Sequence, residues 1–304
     1  MNNPAKKESN NDALKNDSKE WWSNFSQDYV SPGEHDHLGV PEYDNEENFL
    51  KYLDYIDKNF MQDGYFAQER GQPLFSKLIP NNLKGKSVLE IGCGLGAHTE
   101  MLCKAGANLT SIDLAPQSIV TTKKRLDLKN LRAEVFEADA ENLPFEDEEF
   151  DLIWSWGVIH HSPNTEKCAK EIQRVLKTGG ELRIMLYHTN SMYNWINVIF
   201  RYGLLQGKLF SMTIQELHNR YTDGKKDDGA PLSKYYSRNE IKNILFPKLE
   251  ILHQKTYEQK AVISRFFPKK LRRNIEKIIP DDFYTFIWSY FGFLIFTIAK
   301  KIKK

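Results

Sequence analysis

Three glycines at alternate positions, Gly92, Gly94 and Gly96, follow the apolar run Val88-Leu89-Glu90-Ile91 and precede a helical pattern. Glycine has no Cβ, so such a turn reaches left-handed dihedrals and brings peptide N–H groups up to a ligand at the next helix's N-terminus. A second apolar run, 107–112, ends in Asp113, at about the twenty-residue spacing where a carboxylate can accept hydrogen bonds from two ribose hydroxyls. The glycines read G-x-G-x-G and no Lys-Ser/Thr follows, which disfavours a pyrophosphate loop or a P-loop and leaves a nucleoside-bearing ligand without a pyrophosphate. His160 and His161 follow an apolar run at 150–156, and His188 follows another at 180–187. All three fall at the carboxyl edge of the predicted strands, where open α/β sheets bind ligands. An imidazole titrating near neutrality can take a proton from a phenol or an enol-like carbon acid. The His160-His161 pair has a second reading, as a cap on its strand that orders the loop before Pro163, and the residues alone leave both standing.

Other reactive side chains carry less. His98 falls in the first turn of a helix and reads as structural, and His35 and His37 match no metal set. Cys93, Cys103 and Cys168 lack C-x-x-C spacing, so neither a disulfide framework nor a zinc site is expected, and no metal is assigned.

The elements that must position these residues follow from composition and periodicity. Residues 1–20 are polar with almost no large apolar groups, which predicts a disordered tail. Residues 21–80 turn aromatic and acidic, with helices expected at 45–60 and 65–78, and read as a helical lid. Residues 81–188 alternate strand and helix: strands near 87–91, 108–112, 132–137, 150–156 and 180–187, helices starting near Gly96, Pro116 and Pro163. Proline suits a first helical turn because the N–H it lacks would be unpaired there. This alternation predicts a doubly wound α/β sheet. Residues 189–236 form an insert after strand five, with helices at 195–205 and 213–221 and a Gly/Asp/Lys-rich loop at 222–231, placed to shape a substrate pocket. The capping box Ser237-Arg-Asn-Glu240 opens a helix, and 249–257 alternates as a strand.

The ordered series Glu90-Ile-Gly-Cys-Gly-Leu-Gly96, Asp113, Ala138-Asp139-Ala140, Phe150 to His161 and Leu176-Lys-Thr-Gly-Gly-Glu-Leu182 resembles the class I S-adenosylmethionine-dependent methyltransferases over roughly residues 85–187. The resemblance implies a seven-stranded sheet, mostly parallel, with 249–257 as sixth strand and 289–299 as an antiparallel last strand. It implies S-adenosylmethionine as cofactor. Glu90 would meet the methionine amino group, with Gly92, Gly94 and Gly96 giving close backbone approach and Cys93 filling the turn. Asp113, with Leu114 beside it, would hold the ribose. Asp139 and Ala140 would flank the adenine, and Ser155 and Trp156 would line the methionine arm. Tyr29, in Phe25-Ser-Gln-Asp-Tyr29, matches a lid tyrosine over the cofactor.

The chain of 304 residues is 40% hydrophobic and 27% charged with a net charge of +1, ordinary for a globular protein and without a basic field that would imply nucleic acid. No Asn-Pro-Pro-aromatic tetrapeptide follows strand four, which disfavours an exocyclic amine acceptor. The expected activity is methyl transfer to an oxygen or carbon of a small-molecule, lipid-like or glycan acceptor, with a non-catalytic cofactor-binding protein or a nucleic-acid or protein methyltransferase as the other readings. The absence of a secretory pattern predicts a cytoplasmic protein. Between 265 and 277, basic residues interleave with Phe266, Phe267, Leu271 and Ile275. This stretch reads either as a peripheral contact with anionic lipid at the inner face of a membrane or as a solvated helix face. Nothing in the sequence sets an oligomeric state.

Overall fold

Strands of alternating or continuous apolar character build one central sheet: β1 (Ser87–Ile91), β2 (Asn108–Asp113), β3 (Glu134–Glu137), β4 (Phe150–Trp156), β5 (Leu176–His188), β6 (Leu249–Tyr257) and β7 (Leu294–Lys301). The computed structural model describes residues 4–25, 46–57, 75–225, 228–258, 271, 278 and 280–303. Strand order is β3-β2-β1-β4-β5-β7-β6. The first five strands are parallel, and β7 runs antiparallel to both its neighbours. A two-residue strand, Tyr235–Tyr236, adds in parallel to the end of β5. The order reverses between β1 and β4, and at such a switch point the loops leaving the strands diverge and open a crevice at the carboxyl edge.

Successive strand residues face opposite sides, and both sides are buried. Leu89, Ile91, Ile153, Leu182, Ile184 and Leu186 pack against Ala169, Ile172 and Val175 of helix α6 (Thr165–Val175) on one side. Val88, Leu152, Trp154, Met185 and Phe296 pack against Phe75, Leu78 and Leu102 on the other. Leu102 lies on α4 (Ala97–Lys104), and Phe75 and Leu78 on α3 (Phe75–Leu78). Helix α5 (Pro116–Leu128) begins on proline after the N-cap Ala115. Helix α2 (Glu46–Ile56) falls within the expected lid.

In the insert, a helix wound to π pitch spans Tyr193–Leu205, and α7 (Ile214–Tyr221) starts from a Thr213–Glu216 capping box. The predicted Ser237 box is also formed and opens α8 (Arg238–Glu240), which runs on as Ile241–Leu245. Helix α9 (Asp281–Phe291) precedes the last strand.

Two expectations need correction. The polar N-terminal segment is helix α1 (Pro4–Phe25), not a disordered tail. It has no apolar stripe, but Asn11, Lys15, Ser18 and Trp22 recur at one-face helical spacing, and contacts from that face hold it to the core. The last strand starts at Leu294, not at 289, because 281–291 is helical and Gly292 makes the break. A Cβ on Gly292 would lie 2.6 Å from the Tyr257 carbonyl oxygen, so only glycine lets the chain pass there. Tyr29, most of the expected 65–78 helix and the 265–277 segment apart from Leu271 lie outside the described residues. Among the described residues, no helix is long and apolar enough to cross a membrane.

Candidate functional site

The glycine turn between β1 and α4 divides its labour. Gly92, Gly94 and Gly96 all have positive φ, at 85°, 52° and 78°. A Cβ on Gly92 would lie 2.2 Å from Val158 Cγ2, and one on Gly96 would crowd Arg125 and Thr122 at 3.1 Å. These two are glycine so that the turn can pack against the β4 loop and α5. Gly94 has nothing within 4 Å of the Cβ position, so its left-handed backbone faces open space at the crevice.

Asp113, at the end of β2, braces this turn. Its Oδ2 accepts from the Gly94 N–H at 3.0 Å and its Oδ1 from the Ala115 N–H at 2.9 Å. Burial pushes its carboxyl up, against the pull of those backbone donors and of Leu114. The Ser118 hydroxyl donates to this carboxyl as well, so both carboxylate oxygens are engaged by the turn and the start of α5. Ala115, rather than Asp113, is the N-cap of α5.

Glu90 is fully buried, with Oε2 accepting from Thr99 and Ser111 hydroxyls, each at 2.6 Å. Burial raises its pKa to about 7. Its Oε1 and the buried Ser155 Oγ have no hydrogen-bond partner among the described residues. A buried polar atom left unpaired costs about 1–3 kcal/mol, and a ligand with complementary donors would recover it. Trp156, next to Ser155, stacks on Trp154 at 6.0 Å and meets Phe75 edge-on at 4.6 Å. Burial holds the Cys93 thiol well above its ordinary pKa, so it is a neutral filler of the turn.

Past β3, Asp139 accepts from the Glu141 N–H at 2.8 Å and from Lys15 of α1 at 2.7 Å, and Ala140 packs against the core. Lys15 also reaches Glu141, at 2.9 Å. Glu141 further accepts from Ser162 and from Asn164 Nδ2; burial opposes these contacts, yet together they lower its pKa to about 2. Seven residues along α1, roughly 10 Å at helical rise, Trp22 lies edge-on to His161 with ring centroids 4.8 Å apart. Helix α1 therefore spans from the Asp139 end of the crevice to the histidines.

His160 and His161 sit on a short 3-10 turn after β4. His160 is completely buried, neither ring nitrogen has a partner among the described residues, and burial holds it well below its ordinary pKa. His161 Nδ1 lies 2.6 Å from the Leu232 carbonyl oxygen. A carbonyl only accepts, so Nδ1 carries the proton and Nε2 presents its lone pair. That Nε2 is buried without a hydrogen-bond partner among the described residues, 4.0 Å from Asp223 Oδ2. Burial lowers the His161 pKa while Asp223 and the Leu232 carbonyl raise it. Tyr187 packs against His160 at 4.0 Å and joins Phe293, at 4.4 Å, Tyr235 and Tyr193 in an aromatic cluster. His188 is turned to the opposite face from Tyr187 by strand alternation, and its Nδ1 lies 3.1 Å from the Gly292 carbonyl oxygen. His98 packs among Phe75, Trp154 and Trp156, and burial brings its pKa to about 3.

The structure thus brings Glu90, the glycines, Asp113, Asp139 and Ser155 to one edge with His160 and His161, and leaves His188 in a backbone contact. Asp223, Tyr187, Lys15 and Trp22 were not found from the sequence. Asp223 stands in the insert's Gly/Asp/Lys-rich loop, where no motif marks it, whereas the spacing of Asn11, Lys15, Ser18 and Trp22 was a readable signal for α1. Among the described residues, no group of three or more metal-ligating side chains could hold an ion.

Residues 89–184 match the family model "Methyltransferase domain". The chain is 38% identical over 117 residues to phthiotriol/phenolphthiotriol dimycocerosates methyltransferase of Mycobacterium leprae, covering 38% of this chain and 43% of that protein. It is 36% identical over 95 residues to sterol 4-C-methyltransferase of Caenorhabditis elegans, covering 31% and 28% respectively. The chain therefore spans less than half the length of these curated relatives. A solved SAM-dependent methyltransferase from Methanosarcina mazei superposes with a TM-score of 0.53 at 18% identity, over 76% of this chain and 98% of that one. Residues 89–184 thus match that family model, and the chain shares its fold with the Methanosarcina structure.

Proposed function

We propose that this chain, carrying a methyltransferase domain at residues 89–184, binds S-adenosylmethionine along the carboxyl ends of β1, β2 and β4 and methylates an oxygen or carbon of a lipid-like or other small acceptor. The observation that carries this reading is the Gly94 backbone, left-handed, open on its ligand side and braced by Asp113. Glu90 would meet the methionine amino group, Asp113 the ribose hydroxyls, Asp139 and Ala140 the adenine edge, and Ser155 and Trp156 the methionine arm. The unpaired Glu90 Oε1 and Ser155 Oγ fit a ligand that brings hydrogen-bond donors to the crevice.

The bound cofactor supplies a methyl group on a sulfonium, whose leaving group is a neutral thioether. The protein's own task is then alignment, exclusion of water and handling of one proton. Trp22, Tyr187 and Phe293 wall off the histidine end, and His161 Nε2 is the lone pair placed to accept a proton there. The names of the mycobacterial and nematode relatives, a dimycocerosate and a sterol methyltransferase, favour a lipid-like acceptor.

Incubation of the full chain with methyl-labelled S-adenosylmethionine and lipid fractions should yield S-adenosylhomocysteine and label in the organic phase. Cofactor binding without conversion on any lipid, glycan or phenolic fraction would replace this reading with a non-catalytic binding protein.

Peripheral membrane contact is a second element of the proposal. Phe283, Phe286, Tyr290 and Phe291 of α9 are half or more exposed and follow the basic-aromatic stretch 265–277, a combination that suits an anionic interface. Co-sedimentation with phosphatidylglycerol vesicles but not with phosphatidylcholine vesicles is the expected result; equal recovery in both pellets would contradict it.

A further inference from the structure

We infer that the insert after β5 docks on an anionic lipid bilayer, with the outer side of the helix Tyr193–Leu205 and the turn after it entering the lipid. The inference rests on the peripheral-contact reading and names a second element for it, beside α9.

This helix reverses the usual amphipathic order. Its buried residues include Asn194 and Asn197, together with Val198 and Gly203. Asn194 is held inside by two contacts: its Nδ2 donates to the Thr189 carbonyl at 2.7 Å, and its Oδ1 lies 2.9 Å from His218 Nε2. The outer side carries Trp195, Phe200, Leu204 and Leu205, all exposed. In a helix closed by i→i+5 hydrogen bonds, residues about four or five apart share a face, so Trp195, Phe200 and Leu204 form one stripe. Past the helix, Phe210 is 96% exposed and Ile214 is exposed as well. A helix bathed in water turns its apolar residues toward the core, whereas a large apolar surface left outside marks an interaction face.

Charge selects the bilayer over a second copy of the chain. No Asp or Glu occurs between Glu181 and Glu216, in a chain that holds 41 of them in 304 residues. Arg201 and Lys208 are the charged residues of 189–215, set among the exposed apolar groups, with the Arg201 guanidinium 5.5 Å from the Tyr202 ring. An anionic lipid surface repels carboxylates and draws basic heads to its phosphates while their stems lie along apolar neighbours. Self-association requires no such exclusion of acids. Trp, Phe and Leu on the opposite side suit the boundary between headgroups and acyl chains.

The same helix reaches the candidate site. Tyr193, its first residue, meets Phe293 at 4.8 Å, Phe293 stacks on Tyr187 at 4.4 Å, and Tyr187 lies 4.0 Å from His160. A lipid-like acceptor held in the bilayer would therefore meet the protein beside the histidine end of the crevice.

The test measures partition of the 304-residue chain into phosphatidylglycerol vesicles for wild type, for Leu205→Ser/Phe210→Ser in the insert and for Phe286→Ser/Tyr290→Ser in α9. The insert variant should lose about tenfold or more in partition, since two apolar side chains no longer leave water, while its thermal midpoint stays that of wild type. Vesicles with brominated acyl chains should quench wild-type tryptophan emission, and Trp195→Phe should abolish most of that quenching. Wild-type partition in the insert variant, with a loss in the α9 variant, would overturn the inference and leave the peripheral-contact reading intact. Absence of wild-type binding would sink that reading and the inference with it. A lipid-free dimer that Leu205→Ser/Phe210→Ser dissociates, seen by sedimentation velocity, would assign the face to a second copy and overturn the inference too.

Discussion

Asp113 holds the glycine turn through Oδ2 and the start of α5 through Oδ1, and in the proposed function it also meets the ribose, so its removal has two effects. Asp113→Ala frees the Gly94 and Ala115 N–H groups and deprives the cofactor's ribose of an acceptor. Affinity for S-adenosylmethionine should fall by about 1–3 kcal/mol, read by calorimetry, and an unchanged affinity would remove Asp113 from the site. The glycine turn, Glu90 and Asp113 were legible in the sequence because each acts within one strand–turn–helix unit, where spacing fixes position. The functional split among the glycines was not legible: that Gly92 admits Val158 while Gly94 stands open depends on a loop brought in by β4. Asp223 was likewise hidden, since its value lies in a histidine from another element of the chain.

At the scale of the element, α1 shows how a helix can be held by polar contacts. Its residues cannot bury a core face, and composition alone predicts disorder. Order comes instead from partners on the sheet edge: Lys15 bridges Asp139 and Glu141, Asn11 meets Asn164, and Trp22 meets His161. Lys15→Ala should loosen the helix by about 1 kcal/mol, a figure at the modest end because the lysine is partly exposed. Hydrogen exchange of the α1 amides should quicken while the strand amides stay protected. Identical protection in both proteins would mean that the ion pairs do not hold α1. The strands and capping boxes were predictable because local pattern and fold agree there. The start of β7 was missed because an aromatic run such as 283–291 suits a buried strand or a helix equally by periodicity.

For the whole molecule, the buried histidines set the pH range in which the fold is stable. Burial lowers the pKa of His98 to about 3 and of His218 to about 4, and lowers those of His160, His161 and His188 as well. A histidine whose folded pKa lies below its unfolded value of about 6.5 binds more protons when unfolded, so stability drops as pH falls through that range. Glu90, with its pKa raised to about 7, and Asp113, also raised by burial, work in the opposite sense, but they are two groups against five. The thermal midpoint should therefore rise between pH 5 and pH 7, and a flat or falling profile would mean that these rings are hydrated. The doubly wound order with an antiparallel β7 followed from the alternation of elements and the family resemblance. The placement of the insert over the sheet edge did not, because no sequence period reports which loop covers which strand.

Calorimetric titration of the 304-residue chain with S-adenosylmethionine and, separately, with NADH is the most direct measurement of what the Gly92–Gly96 turn holds. One molecule of S-adenosylmethionine per chain, weakened by Asp113→Ala, with no heat from NADH, is the expected result. Binding of the dinucleotide in place of the sulfonium compound would contradict it.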